Sequence, residues 1–257
     1  MFIRLSCQSL HYFYRLMWMI CKKEWQQFFN SITGYAVIGV FLLLNSLLLF
    51  VFPDTSILQF GYASLSTFFD YAPWVLLFLI PAITMRSFPE EYKVGTFELL
   101  KTLPLTEAKI VWGKFFGCVL IVLTALLPTL VYGLSIEALS SNTGIDIAAT
   151  SGSYIGLIFL ATVYTAVGIC VGSYTNNTVV AFIASAFVCF LLYNGFDAMS
   201  KLPMLKGTYD YFVEMLGINF HYKSMSRGVI DTRDVLYFTG LIGALLLITQ
   251  RKISLKN

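Results

Sequence analysis

The sequence predicts an all-α membrane protein with six transmembrane helices. Three observations carry that expectation: a composition too apolar for a soluble globule, charge-free windows of spanning length, and basic residues confined largely to alternate loops. Of the 257 residues, 58% are hydrophobic and 12% charged, whereas a soluble domain carries about 25% charged residues. A hydrocarbon core about 30 Å thick is crossed by about 20 mostly apolar residues in a helix.

Residues 31–52 hold no Asp, Glu, Lys, Arg or His, and Pro53-Asp54 closes them with a turn. The second window, 68–85, carries Asp70 at its interfacial end. The third, 115–136, contains Pro128, which a membrane helix tolerates where neighbours take up the freed carbonyl. From Ile147 to Phe196 there is no charge. So long a stretch must fold back, and the polar run Ser173-Tyr174-Thr175-Asn176-Asn177-Thr178 divides it into spans at 153–172 and 179–195. Residues 235–250 make the sixth span, followed by Arg251 and Lys252. The chain thus reads as an N-terminal segment, 1–30, and a six-helix transmembrane domain, 31–257.

Cytoplasmic loops retain Lys and Arg, so the distribution of basic residues sets the orientation. Arg4, Arg15, Lys22 and Lys23 precede the first span; Arg86, Lys93, Lys101, Lys109 and Lys114 lie between the second and third windows; Arg251, Lys252 and Lys256 end the chain. The loops at 53–70 and 135–153 have no Lys or Arg. In the fifth loop Lys201, Lys206, Lys223, Arg227 and Arg233 are matched one for one by Asp197, Asp210, Glu214, Asp231 and Asp234. Both termini and the second loop are therefore expected in the cytoplasm. The net charge of +3 follows from this topology, and no nucleic-acid partner is expected. No cleavable signal peptide is expected, because Arg4 and Arg15 interrupt the first apolar stretch. The five cysteines form no CxxC pair and read as packing residues.

Ahead of the first span, Trp18, Cys21, Trp25, Phe28, Phe29 and Ile32 recur at helical spacing, with Lys22, Lys23, Glu24, Gln26 and Gln27 opposite. This pattern fits an amphipathic helix in the membrane interface, or an extension of the first span. In the second loop, Gly95 permits a bend, Thr96 can cap a short helix and Pro104 can stop it, with Phe97, Leu99, Leu100 and Leu103 between charges. Such a helix suits docking into a groove of a soluble partner; the alternative is a solvated connector whose apolar face rests on the membrane. Gly168 and Gly172 form a small-xxx-small pair for close helix packing, and Asp231 is placed to cap a helix that starts at Thr232.

The chemistry of an enzyme is missing. There is no GxxxxGK[ST] phosphate loop, and the two histidines, His11 and His221, fall on opposite sides of the predicted membrane. No catalytic residue, metal site or cofactor is expected. The spans hold no central charge of the kind that moves ions or protons, so the energy source is expected outside this chain.

The run Glu90-Glu91-Tyr92-Lys93-Val94-Gly95-Thr96-Phe97-Glu98-Leu99-Leu100-Lys101-Thr102-Leu103-Pro104, followed by Ile110-Val111-Trp112-Gly113-Lys114, resembles the second loop of type-2 ABC transporter permeases. Ser173 to Ile183 resembles that family's turn between helices four and five, and Arg227 to Phe238 its approach to helix six. Within the family, Gly34-Tyr35 with Val37-Ile38-Gly39-Val40-Phe41 is most similar to the gliding-motility-associated permeases of Bacteroidetes-type bacteria. Residues 1–16 lie outside the resemblance, which points to Met17 or Met19 as the start.

The resemblance implies a multi-pass permease of the bacterial inner membrane, in contact with membrane lipid and pairing with a second permease copy or a paralogue. It also implies a cytoplasmic ABC ATPase, docked on a coupling helix from Thr96 to Leu103, with Glu90, Glu91 and Glu98 contacting it or orienting the helix and Gly95 and Pro104 bounding it. A membrane anchor that moves no substrate is the alternative function.

Overall fold

The computed structural model describes residues 17–53, 55–56, 64–102, 106–140, 144–202, 207 and 210–255. Every regular element among them is helical. Helix α1 covers 17–29, α2 Ile32–Phe50, α3 Ser66–Thr84, α4 Pro89–Val94, α5 Thr96–Thr102 and α6 Glu107–Leu126. A 3₁₀ turn at Leu127–Thr129, introduced by Pro128, leads to α7, Leu130–Leu139. Helices α8, Ile147–Gly172, and α9, Thr178–Phe190, follow; a π-helical turn at Leu191–Gly195 joins α9 to α10, Phe196–Ser200. Two short helices, α11 at Asp210–Met215 and α12 at Ile218–Met225, precede α13, Thr232–Ser254.

Six helical segments are long and apolar enough to cross a membrane: Ile32–Phe50, Ser66–Val94, Glu107–Leu139, Ile147–Gly172, Thr178–Ser200 and Thr232–Ser254. The third begins at Glu107, so Lys109 and Lys114 ride on its first turns.

Helix α8 is the axis. It touches α3, α6, α9, α12 and α13, and 72% of its spanning window is buried, against 22% for the first, fifth and sixth segments. In lipid, apolar side chains gain little by meeting one another, so close approach depends on small residues. A Cβ on Gly168 would overlap the Thr84 hydroxyl of α3. Gly172 meets Pro89 at ordinary contact distance, 3.4 Å from where its Cβ would stand. Toward the other end, a Cβ on Gly156 would lie 2.6 Å from Met225 Cβ, and one on Gly152 2.6 Å from the Gly228 carbonyl. Gly228 itself has φ +84° and leaves no room for a side chain beside Ala149.

Proline in α3 creates a specific demand. Pro73 has no N–H, which frees the carbonyl one turn before it. Tyr222 of α12 meets that demand, donating its hydroxyl to Phe69 O at 2.6 Å. Burial pushes the Tyr222 phenol well above its ordinary pKa, so it remains a donor.

Candidate functional site

The chain between α3 and α6 folds into two short helices at an elbow, the first of them, α4, at the end of the second apolar segment. Pro89 opens α4, with Glu90 and Glu91 in its first turn, where acidic groups meet the positive end of the helix. Gly95 ends α4 in the left-handed region at φ +76°, a conformation that favours glycine, and Thr96 starts α5 on a new axis. Phe97 anchors α5: it is 4% exposed and packs edge-on to Tyr92 at 4.8 Å and Phe88 at 6.0 Å. On the next positions Glu98 is exposed, Leu99 is 68% exposed and Leu100 is half-buried. Leu103 and Pro104 lie outside the described residues. Thr106 takes the N-cap position of α6 with extended backbone, but its hydroxyl makes no capping hydrogen bond.

Beneath the elbow sits a buried set of charges. Lys114 of α6 is 0% exposed. Its ammonium donates to Glu24 Oε1 at 2.6 Å and to Ser87 O at 2.6 Å, and pairs with Glu91 Oε2 at 2.9 Å. Lys23 Nζ reaches the other oxygen of Glu91 at 2.6 Å, and the Phe88 ring lies 5.0 Å from Lys114 Nζ. Two lysines thus face two glutamates, contributed by α1, α4 and α6. Glu91 points into this set and Glu90 is partly buried.

The face that α1 turns to the bundle is Ile20, Cys21, Glu24 and Phe28. Sequence periodicity assigns Glu24 to the outward polar side with Lys22, Lys23, Gln26 and Gln27; the structure corrects that, because Glu24 is 7% exposed. The reason is Lys114, whose buried charge needs a counter-ion. Two glycines let α1 come close enough: a Cβ on Gly113 would lie 2.9 Å from Ile20 Cβ, and one on Gly117 2.8 Å from Glu24 Cβ. Burial and the Glu24 carboxylate push the Cys21 thiol up from its ordinary pKa.

At the opposite end, Asp231 accepts from Arg233 N and so caps α13. Nearby, His221 of α12 bridges Asp234 and the chain before it: Nδ1 lies 2.7 Å from Asp234 Oδ1 and Nε2 2.9 Å from Met215 O. The ring stacks on Tyr237 with centroids 4.0 Å apart. Sequence reading finds neither this pair nor the Lys114 set. The signal for the latter is a lysine flanked by Gly113 and Gly117 within an apolar helix. Among the described residues, no three His, Cys, Asp or Glu side chains gather as a metal site.

A third feature is an apolar cleft of about 530 Å³ between α2 and α3, lined by Val37, Val40, Phe41, Trp74, Phe78 and Phe182 among others. It opens on the outside of the helix bundle.

Six apolar segments and a folded, charged elbow at one end define a multi-pass membrane protein with no evident catalytic constellation among the described residues. The family described as ABC-2 family transporter protein matches residues 39–249. The chain belongs to that family, and is accordingly a membrane permease component of an ABC transporter. Proteins of this family normally work with a cytoplasmic ABC ATPase. No curated protein is similar enough to match the chain.

Proposed function

We propose that this chain is the membrane half of an ATP-driven exporter in a bacterial inner membrane, with both termini on the cytoplasmic side. In this reading α5 is the helix on which a separate ATPase pushes, and α4 passes the push to α6. The observation that carries the reading is the asymmetry of α5: Phe97 is sunk against Phe88 and Tyr92 while Glu98 and Leu99 face outward. A helix held by one aromatic anchor and showing an acidic and an apolar residue to solvent matches the helix-in-groove mode of recognition. The weakly buried segments Ile32–Phe50 and Thr178–Ser200 suit pairing with a second copy or a paralogue. The similarity of Gly34 to Phe41 to gliding-motility permeases supports a role for the exporter in that machinery.

Glu98→Arg and Leu99→Asp test the docking. Each is expected to abolish co-purification with the ATPase and its membrane-stimulated hydrolysis, while the permease still inserts and purifies. Unchanged co-purification would remove α5 from the interface. A hydrolysis-dead ATPase that still supports gliding would indicate an anchor rather than an exporter.

A further inference from the structure

The quartet of Lys23, Glu24, Glu91 and Lys114 does something that packing alone does not require. Helix α1 precedes the first span and is separated in sequence from the elbow by about two spans, yet its Glu24 and the elbow's Glu91 are held by one ammonium, at 2.6 Å and 2.9 Å. Lys23 adds a second tie from α1 to Glu91 at 2.6 Å. The set is charge-balanced and shut off from water at its centre, with Lys114 side-chain exposure of 1%, Glu91 of 5% and Glu24 of 8%. A buried ion pair is a poor source of net stability, since well-packed apolar residues of the same volume do as well. What it supplies is a defined mutual position, because any displacement of one partner strands a charge in a dry site.

We propose that Lys114 is a positioning residue that fastens α1 to the coupling elbow, so that α1, α4 and the first turns of α6 move as one body. This rests on the reading of the elbow as the ATPase contact. The helix ahead of the first span then becomes a second arm of the coupling device. Gly113 and Gly117 bring α1 within reach, and the lysine locks its position along α6.

The chain carries its own reporter. Cys21 is 3% exposed and faces α6, its carbonyl 3.3 Å from where a Cβ on Gly117 would stand. Cys189, 0% exposed in α9, serves as an internal control. The variant that isolates the ionic tie is Glu24→Gln/Glu91→Gln/Lys114→Met, which removes three charges and keeps the volumes; Lys23 is left at the surface, 46% exposed.

With the chain alone in native membranes, maleimide labelling of Cys21 is expected to be at least about tenfold faster in the triple variant than in the parent, with Cys189 equally protected in both. Lys114→Arg should restore protection relative to Lys114→Met. Cys21 protected equally in parent and triple variant would mean that glycine packing alone holds α1, and would overturn the proposal. Labelling of both cysteines would also count against it, since the charges would then be holding the whole fold. Leu99→Cys, probed in the complex with and without nucleotide, separates the two ideas: an elbow reporter that ignores nucleotide sinks the ATPase reading, whereas Cys21 decides the tie either way.

Discussion

The two ends of the helix bundle handle buried polar groups differently. At the α1 and α4 end, full charges are enclosed in a balanced set, two lysines against two glutamates, on three separate elements. At the α11 and α12 end, the work falls to single hydrogen bonds: Tyr222 to Phe69 O, Tyr237 to Leu216 O, and one His–Asp pair. Removing a hydrogen-bond partner strands a dipole, while removing one member of the ionic set strands a charge. The first end should therefore tolerate coordinated change and resist single change, whereas the second should yield in small steps.

The sharpest break in that comparison is Lys114→Met. It leaves Glu24 and Glu91 facing each other in a dry site and is expected to cost about 3–5 kcal/mol, while the neutral triple variant stays within about 1 kcal/mol of the parent. Denaturant unfolding in detergent compares them, and a single variant as stable as the triple would show that water reaches the site. Next in size is Gly168→Leu, which forces α8 away from Thr84 and should lose about 1–3 kcal/mol. Gly243→Ala is its control, since nothing lies within 4 Å of a Cβ there; equal losses from both would discount the close approach.

At the second end, Asp234→Asn should cost about 1–2 kcal/mol by weakening the partner of His221 Nδ1, readable as a lowered Tm. Asp231→Ala removes the cap of α13 and is expected to cost about 1 kcal/mol, with hydrogen exchange rising at the Arg233 amide ahead of the rest of the helix. Smallest of all is Lys201→Ala. Its pair with Asp197 at 2.6 Å is exposed on the lysine side, and no measurable change in Tm is expected.

Helix class and the number of spans were legible because hydropathy reports directly on a bilayer's thickness. Punctuation was legible too: Pro53, the Ser173 to Thr178 run, Gly95 and Asp231 each carry a local backbone preference. Contacts between distant elements were not. Glu24 alternates correctly for an outward polar face, and only its pairing with a residue 90 positions away turns it inward. His221 and Asp234 sit in a stretch whose charges cancel, so neither stands out by composition. The elbow occupies the middle ground: Gly95 and Thr96 announce the bend and the short helix after it, but α4 and the burial of Phe97 and Glu91 were not announced, since that burial depends on Phe88 and Lys114, which a linear pattern does not bring together.

The cleft between α2 and α3 has a consequence for how any occupant must be measured. Its wall is almost wholly hydrocarbon, so an occupant arrives sideways from the lipid phase, exchanging one set of dispersion contacts for another. Occupancy would follow mole fraction in the bilayer rather than aqueous concentration. With almost no polar surface to fix orientation, such a surface sorts molecules by girth and length, and titrations at different lipid-to-protein ratios would yield different apparent constants for the same site.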